Sequence, residues 1–434
     1  MKIMKNISYK LTLVLLFITG INNAQQTPAP AQSKTISIVG ATAHIGNGST
    51  IENATLVFEN GLITQIGKSS DITAQGEIID AKNKHVYPGF ILGNATLGLG
   101  EIDAVRATRD DREIGNLIPH VRSLIAYNAE SQVVESARPN GLLIAQITPR
   151  GGRISGTSSV VQLDAWNWED AAIKIDDGIH VNWPNSYATK FVGFGSQIIS
   201  DPNKNYQKYV NELKDFINQS KTYALATSKK KNIPYEAMQG LFNGNQKLYI
   251  HVRREQEIID AVNMGTELGI SKIVLVGANE AYKTSHLLKK HNISVLLKRV
   301  HSLPGSEDDD YDLPYKTATI LVKNGVLTAL EGSGQMERMN NRNLPFYAGT
   351  TTGYGLNMEE ALQLITLNPA KILGIDDKYG SLEVGKSATL FISEGNALDM
   401  RTNIISKAYI DGRDISLETH QTKLYKRYMN KYSN

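Results

Sequence analysis

The pattern of apolar and polar positions is strand-like at both ends of the chain. Residues 35–67 alternate apolar and polar side chains and are interrupted by glycine-containing turns at 46–48 and 59–61. Residues 380–392 and 404–413 repeat this pattern, with a second Asp-Gly turn. Alternation of period two between such turns predicts short strands and hairpins. Neither group is long enough to enclose a core alone, so we predict one small β-sandwich built from both termini.

The middle of the chain has a different pattern. Short apolar runs alternate with segments of helical periodicity, which indicates a parallel α/β arrangement. The runs lie at 142–147, 158–163, 247–252, 272–276, 294–298 and 325–330, and helices are predicted at 257–268, 281–290 and 358–374. Residues 165–246 predict a long barrel helix with inserted loops. A basic amphipathic helix is predicted at 417–432, and we interpret it as a solvated terminal helix rather than a membrane contact.

The first residues have the pattern of a secretory signal. Lys2, Lys5 and Lys10 precede the apolar run 11–21, and Ala24 stands before the expected cleavage point. The run is shorter than the roughly 20 residues that a spanning helix needs, which argues against a membrane anchor. The chain has no cysteine, so it has neither disulfides nor a cysteine-linked lipid. We therefore expect export to the periplasm, with secretion beyond it as the alternative, and no membrane span after signal removal.

The amino-acid composition is that of an ordinary globular protein. Of the 434 residues, 41% are hydrophobic and 21% are charged, and the formal net charge is +3. This charge is too small and too scattered to predict nucleic-acid binding. No G-x-S-x-G motif, phosphate-binding loop or Ser-His-Asp order stands out.

Three stretches carry a resemblance to a known family. Residues 86–98 read V-Y-P-G-F-I-L-G-N-A-T-L-G, a Pro-Gly turn followed by a short apolar strand. This resembles the opening strand of the amidohydrolase superfamily, P-G-[FLI]-I-D-x-H-x-H-L-G. Residues 359–374 resemble the family's final barrel helix. Residues 380–392 resemble its G-S-[LI]-x-x-G-K-x-A-D-[LF]-[VI] signature, with Thr389 at the Asp position. The chain resembles the imidazolonepropionase-like branch from residue 35 to about residue 413.

The resemblance implies an α/β fold, a (β/α)₈ TIM-like barrel carrying a β-sandwich built from the N- and C-terminal segments. The predicted organisation is a signal peptide at 1–24, a flexible leader at 25–34, sandwich halves at 35–86 and 377–415, a barrel at 87–376 and a C-terminal helix at 416–434.

The resemblance also implies where metal ligands would stand. The family uses two His on the first strand, a Lys or Glu in mid-barrel, His on the fifth and sixth strands and Asp on the eighth. Its zinc, iron or manganese lowers the pKa of bound water to about 7, and the resulting hydroxide attacks a carbonyl. Here the corresponding residues are Asn94 and Thr96, then His251, Gly277 and Glu331, and the sequence does not assign a residue to the mid-barrel position. Most ligands are replaced, so we expect no cofactor.

Other side chains are candidates for a pocket. Arg253 replaces a family histidine just after His251, and Glu280 retains the glutamate of the family's sixth-strand motif. Arg150 and Arg153 lie in a glycine-rich loop at 148–159, which could hold an anionic group or could be only a tight turn. We interpret the charged stretch 101–113 as a solvated face, and 307–312 as a mobile acidic loop rather than a calcium site.

Two functions remain open at this point. One is a hydrolase of amide, cyclic amide or dipeptide C–N bonds with a rebuilt site. The other is an inactive descendant that binds a small amide-bearing or dipeptide-like ligand, or serves as the partner subunit of an active amidohydrolase. A homo-oligomer is compatible with either, and His251 is more simply read as a hydrogen-bonded histidine at a strand end.

Overall fold

The computed structural model describes residues 27–192, 197–227, 230–334 and 336–433, except for the side chains of 189–192 and 197–199. The predicted signal peptide lies outside these residues. The strands are β1 Ile36–His44, β2 Thr50–Glu59, β3 Leu62–Lys68, β4 Glu77–Asp80, β5 His85–Pro88, β6 Phe90–Ala95, β7 Leu142–Ile147, β8 Ile154–Gln162, β9 Ala172–Asn182, β10 Tyr187–Val192, β11 Gln197–Pro202, β12 Lys247–Val252, β13 Ile273–Gly277, β14 Ser294–Lys298, β15 Thr328–Glu331, β16 Leu390–Ser393, β17 Ile405–Ile410 and β18 Arg413–Asp414.

The α-helices cover the outside of the molecule and its C-terminal end. They are α1 Gln132–Glu135, α2 Trp168–Ala171, α3 Tyr206–Leu225, α4 Ile233–Ala237, α5 Gln239–Phe242, α6 Glu255–Glu267, α7 Ser285–Lys290, α8 Leu313–Lys323, α9 Glu337–Asn340, α10 Leu344–Thr351, α11 Met358–Gln363, α12 Leu367–Leu373 and α13 His420–Tyr432. Among the described residues, no helix is both long and apolar enough to cross a bilayer.

Eight strands close into a barrel in the order β12-β13-β14-β15-β6-β7-β8-β9, which confirms the predicted barrel. Seven of them run parallel, but β8 pairs antiparallel with both neighbours. The run predicted at 158–163 is thus the second half of a longer strand that begins at Ile154. The loop at 148–153 is too short for a crossover, which needs about a dozen residues, so the chain can only turn back. Gly151 and Gly152 make that turn with φ of +86° and +61°.

Strands from the two ends of the chain form one eight-stranded sheet. Its path is β18-β17-β16-β5-β1-β2-β3, with β4 beside β1. Strand β5 lies between β1 and β16, so residues near both termini pair through it. Buried side chains on one face of this sheet form a hydrophobic cluster of their own. On the other face, Tyr87, Phe391, Ala408 and Ile410 belong to the larger cluster around the barrel.

The helix predicted at 358–374 is interrupted, and α11 and α12 stand in its place. The carbonyls of Leu364 and Ile365 accept hydrogen bonds from Leu330 and Ile91 on barrel strands. Pro369 has no N–H to donate to the Ile365 carbonyl in a continuous helix, so this carbonyl is available to the barrel. The prediction of one helix was therefore wrong, because a contact with the barrel replaces the intrahelical bond.

The described part of the leader is attached to the fold rather than flexible. The Ala29 N–H donates to Asp164 at 2.9 Å, and the Gln32 amide donates to the Phe58 carbonyl at 3.0 Å. The Gly61 N–H donates in turn to Gln32 at 2.8 Å. Residues 27–33 therefore bridge the barrel and the terminal sheet.

Candidate functional site

Four of the residues named from the sequence meet at the carboxyl ends of the barrel strands. Asn94 near the end of β6 is 1% exposed, and Glu331 at the end of β15 is fully buried. The Asn94 side-chain amide donates to Glu331 Oε2 at 3.1 Å. Arg150 enters from the loop after β7, where its guanidinium donates to Asn94 Oδ1 at 2.8 Å and to the Asn94 carbonyl at 2.9 Å. Thr96, also buried, lies two residues beyond Asn94.

The Arg150 guanidinium also binds a residue that the sequence did not indicate. Its Nη2 donates to both carboxylate oxygens of Glu337 in α9, at 3.2 and 3.3 Å. The Thr96 hydroxyl donates to the same carboxylate. One guanidinium therefore joins the first-strand residues to Glu337, a group which we call the Arg150 network: Asn94, Thr96, Arg150, Glu331 and Glu337.

Glu331 is held in one orientation by its own loop. Its carboxylate accepts from the Ser333 N–H at 2.5 Å and from the Ser333 hydroxyl at 2.6 Å. Burial raises the pKa of the Glu331 carboxyl, while these bonds and the nearby Arg150 charge act against that rise. The side chain can accept or release a proton nearer to neutral pH than an ordinary glutamate.

Two histidines lie beside the network. His251 Nε2 is 2.9 Å from His180 Nδ1 on β9, so one ring donates to the other. Burial, and then the Arg150 charge, lowers the pKa of His251 to about 3. Burial lowers the pKa of His180 well below its usual value, and His251 adds to this effect. Both rings are neutral at pH 7, and the buried His180 Nε2 has no hydrogen-bond partner among the described residues.

His180 and Glu337 are the site residues that sequence reasoning missed. His180 lies on β9, the fourth barrel strand, and Asn182 at the end of this strand pairs in register with His251. The pattern at 165–246 predicted a helix with loops, so it did not indicate this strand or its histidine. Glu337 belongs to a helix of 4 residues after β15, and no local pattern distinguishes it.

A cavity of about 1010 Å³ lies at the ends of β12, β13 and β14, and Arg253 and Glu280 are among the residues that line it. The Glu280 carboxylate accepts from the Glu255 N–H at 2.7 Å and pairs with Lys283 at 3.6 Å. Tyr187 and other aromatic side chains contribute apolar surface to the walls. The cavity has a size suited to a small ligand.

Arg153 does not join Arg150. Its guanidinium donates to the Asn182 carbonyl at 2.9 Å and lies over the ring of Tyr209, 5.4 Å from the ring centroid. The two arginines of the glycine-rich loop therefore point to different surroundings, because the turn at Gly151 and Gly152 separates them.

The charged stretch at 101–113 is mostly exposed, but one of its members is not. Asp111 is 3% exposed and pairs with Arg338 at 3.1 Å. The Arg338, Arg112 and Arg109 charges hold the pKa of the Asp111 carboxyl below its usual value against the opposing effect of burial. This carboxylate anchors the loop to α9, the helix that carries Glu337.

The donors at the family's ligand positions are poorly suited to a divalent ion. Asn94 offers an amide oxygen that already accepts from Arg150. Thr96 offers only a hydroxyl, and Gly277 has no side chain that could bind a metal. Across the described residues, no three His, Cys, Asp or Glu side chains are placed to share a metal. Zinc sites in proteins use three or four such ligands.

Comparison with known proteins points to one superfamily. Residues 278–415 match the model of the Amidohydrolase family. The chain is 23% identical over 378 residues to the imidazolonepropionase of Clostridium tetani, which covers 81% of this chain and 86% of that protein.

Solved structures share the fold. An amidohydrolase from Thermotoga maritima superimposes with a TM-score of 0.76 at 24% identity, covering 88% of this chain and 99% of that one. A Xaa-Pro dipeptidase with bound methionine superimposes with a TM-score of 0.52 at 14% identity, covering 88% and 100%. The matched segment, the curated relative and the closed barrel together show that this chain is similar to the amidohydrolases and shares the barrel fold of their solved structures.

Proposed function

We propose that this chain is an exported, ligand-binding amidohydrolase relative that does not perform metal-dependent hydrolysis. The observation that carries the proposal is the position of the Arg150 guanidinium. It donates two hydrogen bonds to Asn94, where the family has a metal ligand. Its charge adds to the effect of burial in lowering the pKa of His251, and it opposes the rise that burial causes in the pKa of Glu331. A positive charge that belongs to the protein thus lies among the residues at the family's ligand positions.

Electrostatic repulsion supports the proposal that no metal ion binds at these positions. A divalent ion about 4 Å from a guanidinium would be repelled by about 8 kcal/mol at an effective dielectric constant near 20. Glu331, the carboxylate at the family's Asp position, already accepts from Asn94 and Ser333. A metal would have to displace these bonds and overcome the Arg150 charge.

The ligand we propose is a small amide-bearing or dipeptide-like molecule. The names of two similar proteins, an imidazolonepropionase and a Xaa-Pro dipeptidase, suggest this class. The cavity of about 1010 Å³ at the ends of β12, β13 and β14 is large enough for it.

A second candidate is metal-free hydrolysis, and one observation favours it. Glu331 has a raised pKa, as a general acid or base needs near neutral pH. His251 and His180 are neutral imidazoles nearby, and one buried nitrogen of His180 lacks a partner among the described residues. Service as the partner subunit of an active amidohydrolase is a third reading, suggested only by the replaced ligands.

Three measurements on one preparation separate these readings. The protein is incubated with zinc, iron or manganese, dialysed and analysed for metal, then assayed on dipeptides and cyclic amides with and without a chelator. We expect substoichiometric metal, no chelator-sensitive turnover, and a rise in Tm with a bound amide. Stoichiometric metal with chelator-sensitive turnover would refute the proposal. Metal-free turnover that Glu331→Gln abolishes would establish the second candidate.

Two further checks address the ligand site and the compartment. His251→Ala should reduce the ligand-induced rise in Tm, whereas His286→Ala, at an exposed histidine, should not. An unchanged rise in the His251 variant would remove this residue from the site. Sequencing the N-terminus of protein from a periplasmic fraction tests export, which requires cleavage near Ala24.

A further inference from the structure

The cavity at the ends of β12–β14 contains cations whose charges the protein does not neutralise. Arg253 follows β12, Lys298 ends β14 and Arg299 follows it, and all three line the cavity. Within the described part of the chain, these three side chains form neither an ion pair nor a hydrogen bond. Other cations of the same cavity differ, because Lys283 pairs with Glu280 at 3.6 Å and Arg254 lies 4.3 Å from the centroid of the Tyr187 ring.

Four carboxylates line the cavity, and two of them, Glu280 and Asp309, are engaged by other groups. Glu280 accepts from the Glu255 N–H and pairs with Lys283. Asp309 accepts from the N–H groups of Gly305 and Ser306, at 3.0 and 2.9 Å, within its own loop. The other two, Glu307 and Asp308, are exposed. None of the four forms an ion pair with one of the three cations in the described part of the chain, so these cations are available to a ligand.

The three cations reach two separate places. A side-chain carbon on Gly334 would lie 3.4 Å from Arg299 Nη2 and 3.6 Å from Lys298 Cε, so this pair lies together. A side-chain carbon on Gly305 would instead lie 3.7 Å from Arg253 Nη2 and 3.4 Å from Asp309 Oδ2, so a ligand group at Arg253 would also lie near the Asp309 carboxylate. The cations therefore mark two positions on the cavity wall, each suited to one anionic group.

From this arrangement we infer that the cavity binds a small molecule with two carboxylates. One carboxylate would lie against Arg253 and the other against Lys298 and Arg299. A guanidinium presents a planar fork of N–H donors that matches a carboxylate, and clustered cations in a concave site attract anions. The inference rests on the proposed ligand-binding function, and it narrows the ligand to a dianionic class such as an acidic N-acyl amino acid.

Titration calorimetry with matched probes tests this. N-acetyl-L-aspartate carries two carboxylates, whereas N-acetyl-L-asparagine has an amide in place of one. We expect the first to bind at least about tenfold more tightly, since a charge-assisted bond contributes at least that factor. Arg253→Gln and Lys298→Gln should each weaken binding of N-acetyl-L-aspartate about tenfold. Arg122→Gln, at a paired cation outside the cavity, should leave it nearly unchanged.

Several outcomes would overturn the inference. Equal binding of the two probes, no binding of either, or unchanged affinity in both the Arg253 and Lys298 variants would each do so. Binding of inorganic phosphate in preference to N-acetyl-L-aspartate would overturn the carboxylate assignment. If a neutral cyclic amide raises the Tm while N-acetyl-L-aspartate does not bind, the proposed function stands and the dianionic ligand is refuted.

Discussion

Replacing Arg150 tests the central feature of the site. Arg150→Met keeps a long side chain but removes the charge and the four hydrogen bonds to Asn94 and Glu337. Breaking a buried ion pair costs about 3–5 kcal/mol. The side chains of Arg150 and Glu337 retain 17% and 16% of their exposure, so the free energy of unfolding should fall by about 3 kcal/mol at pH 8, the lower end of that range.

The loss should depend on pH. The pKa of Glu331 is raised in the fold, so its contribution to stability is complete below its usual pKa and is lost as pH rises. Without Arg150 this pKa rises further, which adds to the loss at pH 8. The two histidines change the stability in the same direction. Their lowered pKa values destabilise the fold in acid, and removing Arg150 raises these pKa values, so the variant is destabilised less by them at pH 5. The loss should therefore be smaller at pH 5 than at pH 8.

Urea unfolding at the two pH values measures this difference. Arg122→Gln is the control, since Arg122 pairs with Asp176 at 2.8 Å but keeps 35% exposure, and its loss should stay below about 1 kcal/mol at both pH values. Arg150→Lys keeps the charge but not the planar guanidinium with its paired N–H donors. Its free energy of unfolding should therefore fall less than that of Arg150→Met, and the fall should depend less on pH. A loss in Arg150→Met as small as that of the control, or equal at pH 5 and pH 8, would refute the reasoning.

Three further substitutions test other parts of the molecule. His251→Gln removes a group with a folded pKa of about 3, so between pH 6.5 and pH 4 the variant should lose less stability than the parent, by up to about 1.4 kcal/mol per pH unit in urea unfolding. Asp177→Asn removes a fully buried carboxylate 3.6 Å from Lys247 and should cost about 3–5 kcal/mol at pH 7. That cost should shrink toward pH 10, because Lys247 has a pKa of about 8 and can lose its proton. Gly98→Ala places a carbon 2.5 Å from the Tyr127 ring at a φ of +71° and should lower the Tm.

Each substitution has a matched control. His286→Gln changes an exposed histidine and should leave the pH dependence of unfolding as it is in the parent. Asp176→Asn changes the half-exposed neighbour of Asp177 and should cost less than about 1 kcal/mol. Gly353→Ala adds a carbon with nothing within 4 Å and should leave the Tm unchanged. A substitution that behaves like its control would contradict the corresponding argument.

The sequence predicted the parts of the site that strand motifs carry. Asn94 and Glu331 follow apolar runs whose direction and order the barrel determines, so their meeting at one end followed from the predicted fold. The direction of the Arg150 side chain did not follow from the sequence, because a glycine-rich loop can direct its side chains inward or outward. Contacts in the closed barrel determine which of the two occurs. Glu337 lies 187 residues away from Arg150 along the chain, and only tertiary structure brings the two together.

The reversed strand β8 is a different case. Its apolar run reads the same in either direction, so periodicity could not assign its orientation. The length of the preceding loop did carry the information, since residues 148–153 leave no room for a crossover helix. Counting loop lengths would have predicted the hairpin and the entry of Arg150 into the barrel mouth from a tight turn.

The pairing of β5 with β16 has a consequence for the order of assembly. Pro88 pairs with Leu390, about 300 residues later, and the Gly89 N–H donates to the Thr389 carbonyl at 2.9 Å. Gly89 leads directly into the strand that carries Asn94. During synthesis the first barrel strand therefore leaves the ribosome early, yet the position of its first residue is fixed only when the last tenth of the chain follows. Premature termination after the barrel would leave every network residue present but the base of the Asn94 strand unanchored.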